Sequence, residues 1–219
     1  MKNVDIILSE LTKYTNQVQT PILDLIKVQT NDPFKILVGT ILSARTQDKT
    51  TSNVLTRLFT KVNNINDLAG LSIQEIEDLI YPIGFYRQKA KYLHKLPTVL
   101  AEKFNMSIPE TIEELIELPG VGRKTANLVI ILAFDKPAMC VDIHVHRISN
   151  RLGFISTKSP LESEMALRKD LPLEYWKTYN SILVAFGQNL CRPINPKCDV
   201  CPVNKYCDFF KKHKEVKCV

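Results

Sequence analysis

Leu118-Pro119-Gly120-Val121-Gly122-Arg123-Lys124-Thr125-Ala126 is the stretch that decides how the rest of this chain is read. Upstream, Thr111-Ile112-Glu113-Glu114 has the form of a capping box opening a short helix. Downstream, Ala126 to Phe134 is almost unbroken apolar sequence, the pattern of a buried helix. Pro119-Gly120-Val121-Gly122 is therefore a tight turn between two helices, its glycines permitting positive φ and close approach. N–H groups at a helix start lack intrahelical partners, and the helix dipole makes the spot attractive to an anion. With Arg123 and Lys124 beside Gly120 and Gly122, the hairpin reads as a site for a nucleic-acid phosphate.

Lys124 admits two readings. In the first turn of a helix it meets the positive dipole end, and the apolar helix behind it adds desolvation; both disfavour its charged form. A lysine that loses its proton near neutral pH is a nucleophile able to form a Schiff base. The plainer alternative is a lysine that only binds phosphate or solvent.

The surrounding composition agrees with a helical protein. The chain has 219 residues, 45% of them hydrophobic, enough for one large domain or two small ones. Only 7 glycines and few turn signals separate the helical patterns, so an all-α fold is expected. A net charge of +6 suits a polyanion partner. Met1 to Leu11 carries Asp5 and Glu10 and lacks a basic start, so no signal peptide is expected. No apolar run reaches the ~18 residues of a membrane span, so no membrane partner is expected. A soluble, cytoplasmic chain follows, in a compartment where cysteines serve as ligands more often than as disulfides.

In chain order, residues 1–20 read as one amphipathic helix with Ile6, Ile7, Leu11 and Tyr14 on a face. Asp32-Pro33 starts a core helix from Phe34 to Ala44, which runs into the polar cluster Ser43-Ala44-Arg45-Thr46-Gln47-Asp48. Thr51 to Val62 shows a helical stripe, and Ser72-Ile73-Gln74-Glu75 a second capping box. Ile83-Gly84-Phe85-Tyr86-Arg87-Gln88-Lys89-Ala90 is a second glycine turn followed by a basic helix start. Phe85 and Tyr86 there suit stacking on bases, although a staple onto the core accounts equally well for Tyr86. The helix from Arg87 to Phe104 is expected to break near Pro97. Asp142 is an N-cap candidate for a helix ending at Gly153, and a carboxylate 18 residues after Lys124, an interval that fits one helix and a return loop. His144 and His146 fall on different helix faces, which excludes the i, i+4 zinc pair. Pro172 to Leu190 reads as the last long core helix.

Cys191, Cys198, Cys201 and Cys207 are spaced C-x6-C-x2-C-x5-C. Four thiolates so close in sequence indicate a metal site. Zinc ribbons usually present two paired knuckles, and only one C-x2-C is present, so the spacing leans to an iron–sulfur cluster without excluding zinc. Arg192 and Lys197 between the ligands make the loop a candidate phosphate clamp, and Lys211, Lys212, Lys214 and Lys217 extend the basic surface. Cys140 reads as a small core residue, and Cys218 as a free thiol.

Taken together, the hairpin, Val141-Asp142 followed by His144 and Arg147, and the four-cysteine tail make the chain resemble the endonuclease III family of helix-hairpin-helix DNA glycosylases over nearly its full length. The resemblance implies a two-lobed all-α fold. One lobe, 26–135, is a six-helix barrel holding the hairpin; the other, 1–25 plus 136–219, holds a [4Fe–4S] cluster on the four cysteines, with DNA across the cleft. It implies Lys124 as the Schiff-base lysine, Asp142 as the catalytic aspartate, and Arg45, Gln47, Phe85, Gly120, Gly122, Arg123, His144 and Arg147 as DNA contacts. The implied activity is a bifunctional glycosylase and abasic-site lyase of base excision repair that removes oxidised pyrimidines. Its partner would be double-stranded DNA containing damaged bases or abasic sites, bound by a nucleoid-associated monomer. Related adenine glycosylases typically carry serine at the lysine position and a glutamate upstream, and archaeal-type thymine mismatch glycosylases typically carry tyrosine. Lys124, and the lack of a carboxylate in Phe34–Ala44, argue against both. The runner-up enzyme reading is a mismatch or other-base glycosylase on the same fold; the alternative from another class is a non-catalytic DNA-binding protein, which needs neither Lys124 nor Asp142. Arg45 stands where many members have glutamine, and Phe85 where they often have leucine. Arg45 is expected to favour guanine opposite the damage.

Overall fold

Polar N-caps at Asp32, Asn64, Ser72, Thr111, Asp142 and Ser159 start helices of this protein, and apolar stripes hold the helices together. A computed structural model describes residues 1–17 and 32–216. These residues are helical, with no strand among them, and none of their helices is long and apolar enough to cross a membrane. Residues 18–20 of the expected first helix, the side chains of Lys214 and Lys217, and Cys218 lie outside the described part.

The chain divides into two compact units, Met1–Pro21 with Met139–Val219 and Ile22–Ala138. The first begins with α1 (Val4–Thr15). The second contains α2 (Pro33–Ser43), α3 (Asp48–Leu58), α4 (Ile65–Ala69), α5 (Ile73–Ile80), α6 (Tyr86–Phe104), α7 (Ile112–Leu115) and α8 (Arg123–Phe134). The chain then returns to the first unit with α9 (Ile143–Leu152), α10 (Pro160–Asp170), α11 (Trp176–Asn189) and α12 (Asp208–Val216).

In the unit Ile22–Ala138, Asp32 caps α2 by accepting the N–H of Phe34 at 2.9 Å, and Pro33 fills the first helical position. Helix α2 is buried from Ile36 to Leu42, and α8 packs along it. The Ser72–Glu75 capping box forms in full at the start of α5. Helix α3 starts at Asp48 and ends at Leu58, earlier than the apolar stripe suggested at both ends.

The break expected near Pro97 is absent: α6 runs unbroken from Tyr86 to Phe104 with Pro97 inside it. An interior proline costs a helix about 3 kcal/mol. Leu93, Leu96 and Leu100 are fully buried on the same helix, each contributing about 1.5–3 kcal/mol, and together they outweigh that cost. Tyr86 stands at the first position of α6. It is half-buried and meets the exposed Tyr81 edge-on at 5.4 Å.

In the other unit, Ile7, Leu8, Leu11, Val145, Ile148, Leu183 and Phe186 form one core in which α1, α9 and α11 meet. Tyr14 meets Phe186 edge-on at 6.0 Å, and the buried hydroxyls of Tyr179 and Ser149 pair at 2.8 Å. Asp5 on α1 accepts the Tyr175 hydroxyl at 2.8 Å. The last long core helix begins later than expected, because Leu173–Tyr175 is a separate 3-10 turn before α11.

One core position is charged. Lys89 on α6 is only 6% exposed. Its ammonium donates to the carbonyl oxygens of Leu42, at 2.8 Å, and Ala44, at 2.5 Å, and to Thr46 Oγ1 at 3.3 Å. These acceptors lie at the C-terminal end of α2, where the dipole favours a cation. No carboxylate is among them, and burial pushes the Lys89 amine down to about 8 from its ordinary 10.5. Between those two pH values the unfolded chain holds a proton that the folded chain has released. Lys89 therefore adds stability as pH rises through that window. In urea unfolding, the stability of the wild type relative to Lys89→Met is expected to rise from pH 8 to pH 10, at up to about 1.4 kcal/mol per pH unit. A difference that stays level, or falls, contradicts this account of Lys89.

Candidate active site and metal centre

The hairpin depends on one left-handed residue. Gly120 has φ +78°, and a Cβ built on it would stand 2.6 Å from Tyr92 Cδ2. The turn closes with Val121 N–H on the Leu118 carbonyl at 3.1 Å, and Val121 is buried beneath it. Gly122 is the N-cap of α8, in extended conformation and without a side-chain cap. A Cβ at Gly122 would meet nothing within 4 Å, so the approach to the helix start is open. Arg123 is half-buried and Lys124 exposed on the first turn. The desolvation expected at Lys124 is thus not supplied by burial: the apolar residues of α8 begin at Ala126 and face α2. Asn127 is fully buried and donates to the Arg123 carbonyl at 2.9 Å, which fixes the first turn.

In the same unit, Arg45 and Phe85 stand together. Both are exposed, both have left-handed backbones (φ 55° and 59°), and the Arg45 guanidinium lies 5.6 Å from the Phe85 ring centroid. Non-glycine residues held in this region cost about 1–3 kcal/mol each and cluster at functional sites. Gln47 is the N-cap residue of α3 and its side chain is exposed; its carbonyl accepts the Thr51 N–H at 3.0 Å.

In the unit containing α9, Asp142 is the N-cap. Its Oδ1 accepts the N–H groups of His144 at 2.8 Å and Val145 at 2.9 Å, which orients the carboxylate over the helix start. Arg147 is half-buried. Its Nη2 donates to the Cys191 carbonyl at 2.9 Å and meets His144 Nδ1 at 3.1 Å, while its buried Nε has no hydrogen-bond partner. Burial lowers the Arg147 pKa, chiefly by desolvation. Gly187 permits this packing, because a Cβ there would stand 2.5 Å from His144 Nδ1 and 3.0 Å from Arg147 Nη2. The structure thus joins Asp142, His144 and Arg147 on one helix and ties that helix to the cysteine loop.

Cys191, Cys198, Cys201 and Cys207 line one pocket, floored by Leu152, Phe186 and Val203. The described cysteines form no disulfide. Burial raises the thiols of Cys198, Cys201 and Cys207, Cys201 to about 11, and the neighbouring cysteines raise them further. The backbone N–H of Val203 favours the Cys201 thiolate, and those of Phe209 and Phe210 favour that of Cys207. Four converging sulfurs ringed by N–H donors fit a cationic group that offsets their repulsion. Among the described residues, no group of three Cys, His, Asp or Glu could hold a single metal ion. Four cysteines lining one pocket are a donor set that an iron–sulfur cluster takes. Arg192 and Lys197 are exposed on this loop. Cys140 lies elsewhere, buried in the core.

Two residues escaped the sequence reading. Arg151 donates to Cys191 Sγ at 3.5 Å, to the Arg192 carbonyl at 2.7 Å and to the Pro193 carbonyl at 2.9 Å, and it stacks 4.5 Å from the Phe209 ring centroid. It follows Arg147 by one helical turn, which was the available signal. Lys89 interrupts the spacing of Leu93, Leu96 and Leu100, and a lysine inside an apolar stripe is the mark of a buried charge.

Comparison with known proteins agrees with this geometry. Residues 38–173 match the HhH-GPD superfamily of base excision DNA repair proteins, and residues 191–207 match the iron–sulfur binding domain of endonuclease III. Endonuclease III of Thermotoga maritima is 44% identical over 181 residues, covering 83% of this chain and 85% of that protein. A solved non-covalent endonuclease III–DNA complex is similar with TM-score 0.85 and 36% identity, covering 98% of both chains. A trapped covalent endonuclease III–DNA intermediate is similar with TM-score 0.84 and 35% identity, covering 97% of this chain and 98% of that one. The hairpin, the capped Asp142 and the four-cysteine pocket thus stand in a chain that belongs to the endonuclease III family of the HhH-GPD base excision DNA repair superfamily.

Proposed function

We propose that this chain excises oxidised pyrimidines from double-stranded DNA with Lys124 as nucleophile, and cuts the strand at the resulting abasic site. The class of activity, DNA glycosylase and abasic-site lyase, comes with the family, as does the [4Fe–4S] cluster. The observation that carries the assignment of Lys124 is the hairpin. Gly120 turns the chain, Gly122 leaves the approach open, and Lys124 stands exposed on the first turn behind them.

A base inside a duplex is out of reach, so the damaged nucleotide is flipped out at a cost of a few kcal/mol. The hairpin N–H groups, with Arg123, take a backbone phosphate. The neutral Lys124 amine attacks C1′ of the sugar, and the base leaves with the electron pair of the glycosidic bond. Asp142 stabilises the positive charge that develops on the sugar and accepts a proton from the attacking amine. The C1′–O4′ bond then breaks as the nitrogen lone pair forms the C=N bond, and the second amine proton passes to O4′, leaving an imine between Lys124 and C1′. The imine acidifies the C2′ proton; its removal breaks the C3′–O bond, and the phosphate leaves on the 3′ side. Arg45 and Phe85 would occupy the space vacated by the flipped base, and Gln47, His144, Arg147, Arg192 and Lys197 would hold the backbone.

We assign the cluster to Cys191, Cys198, Cys201 and Cys207. When bound, it closes residues 191–207 into a fixed loop; Arg147 and Arg151 transmit that shape to α9, where Asp142 stands. The same rigid loop presents Arg192 and Lys197 outward.

Two outcomes are expected. On duplexes with thymine glycol or a plain abasic site, Lys124→Ala loses strand cleavage on both, and Asp142→Asn slows it by about 10²–10⁴-fold. Cleavage by Lys124→Ala at the wild-type rate overturns the nucleophile, and wild-type cleavage of the abasic duplex alone overturns the oxidised-pyrimidine substrate. Purified without oxygen, the protein is expected to be brown, with iron and sulfide in equal amounts, and Cys201→Ser to lose both. A colourless protein with one zinc per chain contradicts the cluster.

A further inference from the structure

Arg45 and Phe85 belong to different loops, one after α2 and one before α6, yet several bonds make them a single assembly. Gly84 lies so close to the other loop that a Cβ on it would stand 2.5 Å from the Arg45 carbonyl oxygen. The Gly84 N–H donates to Thr46 Oγ1 at 3.2 Å. Above this backbone contact the Arg45 guanidinium and the Phe85 ring stack on each other while both stay exposed, Phe85 at 63%.

Lys89 is the residue that touches both loops. Its backbone N–H donates to the Phe85 carbonyl at 3.0 Å. Its ammonium bonds the residue before Arg45, through the Ala44 carbonyl, and the residue after it, through Thr46 Oγ1. The two ammonium contacts bracket Arg45, and the backbone contact is the first bond of α6, which places Phe85 at the start of the same helix. Both of those residues keep a left-handed backbone, which persists only where the surroundings over-determine it. A helix end such as that of α2 is commonly closed by glycine, without any buried charge. An apolar side chain in this stripe would bury at lower desolvation cost. What the ammonium adds over either is a fixed link from the start of α6, where Phe85 stands, to the loop that carries Arg45.

We propose that Lys89 is a positioning residue that sets Arg45 and Phe85 as one preassembled unit, so that the preference expected of Arg45 for the base opposite the damage depends on Lys89. With its backbone held, Arg45 presents its donors in a fixed direction, which suits the paired acceptors of guanine and no other base equally. With its backbone released, the same side chain searches many directions and the discrimination fades. The proposal rests on the DNA-repair reading above, and deepens it by naming what selects the opposite base.

The test is binding to duplexes carrying a tetrahydrofuran abasic analogue opposite guanine or opposite adenine, measured with thermal melting of each variant. The wild type is expected to bind the guanine duplex about ten-fold tighter, within the discrimination of a bidentate arginine–guanine pair. Lys89→Met is expected to bring the ratio of the two dissociation constants close to one. Thr46→Val, which removes only the hydroxyl shared by Lys89 and Gly84, is expected to lower it about three-fold and keeps the test open if Lys89→Met does not fold. In an Arg45→Ala background, neither change is expected to alter the ratio further, because the reading side chain is already gone. Variants that melt earlier or bind both duplexes more weakly, with the ratio intact, show a merely structural role and overturn the proposal. So does a wild type that binds both duplexes equally. A wild type that binds no abasic duplex overturns the repair reading itself, and the proposal with it.

Discussion

The close approach of Gly120 to Tyr92 is the constraint on which the candidate site depends. Gly120 sits at φ +78° with Tyr92 carbon atoms where a Cβ would be. Any other residue there would have to adopt a left-handed backbone and push the ring aside. The contact fixes the hairpin on α6, and α6 is also the helix that Phe85 and Lys89 begin. One helix therefore serves as a ruler within this unit. Near its start it holds the Arg45–Phe85 pair; two turns later it seats the glycine turn that presents Lys124. The unbroken passage of α6 through Pro97 keeps that ruler stiff beyond the contact.

The chain repeatedly uses a helix terminus as a chemical device. The start of α8 has a glycine N-cap, which leaves it open to an anion. The start of α9 has an aspartate N-cap, so the capping bonds to His144 and Val145 also orient the carboxylate assigned to catalysis. The end of α2 is closed by a buried ammonium, which suits the negative end of the dipole and at the same time reaches across to a second loop. In each case the bond that stabilises the fold also aims a functional group. Arg147 and Arg151 extend the principle: both bind backbone carbonyls of the cysteine loop, so the shape imposed on that loop is felt along α9.

What was legible in the sequence was local. Pro119-Gly120-Val121-Gly122, Asp32-Pro33, Ser72-Glu75 and Asp142 state their roles within a few residues, because turns and caps are short-range devices. The cysteine spacing announced a metal loop for the same reason. The readings that failed needed partners distant in sequence. Pro97 was expected to interrupt a helix, but buried leucines on that helix outweigh the missing hydrogen bond. Lys124 was expected to be desolvated, yet the apolar side of α8 turns toward α2 and leaves it exposed. Lys89 went unread because its three acceptors lie more than 40 residues upstream, and Arg151 because its partners lie about as far downstream.

The central claim is that the glycine hairpin exists to present one particular lysine. Its most direct test is to reduce the protein with borohydride on an abasic duplex, digest the adduct, and locate the sugar remnant by peptide mass spectrometry. The account predicts the remnant on Lys124, in the peptide that begins the helix after Gly122. A remnant on another lysine or on the amino terminus would contradict it, and would leave the hairpin as a phosphate site alone.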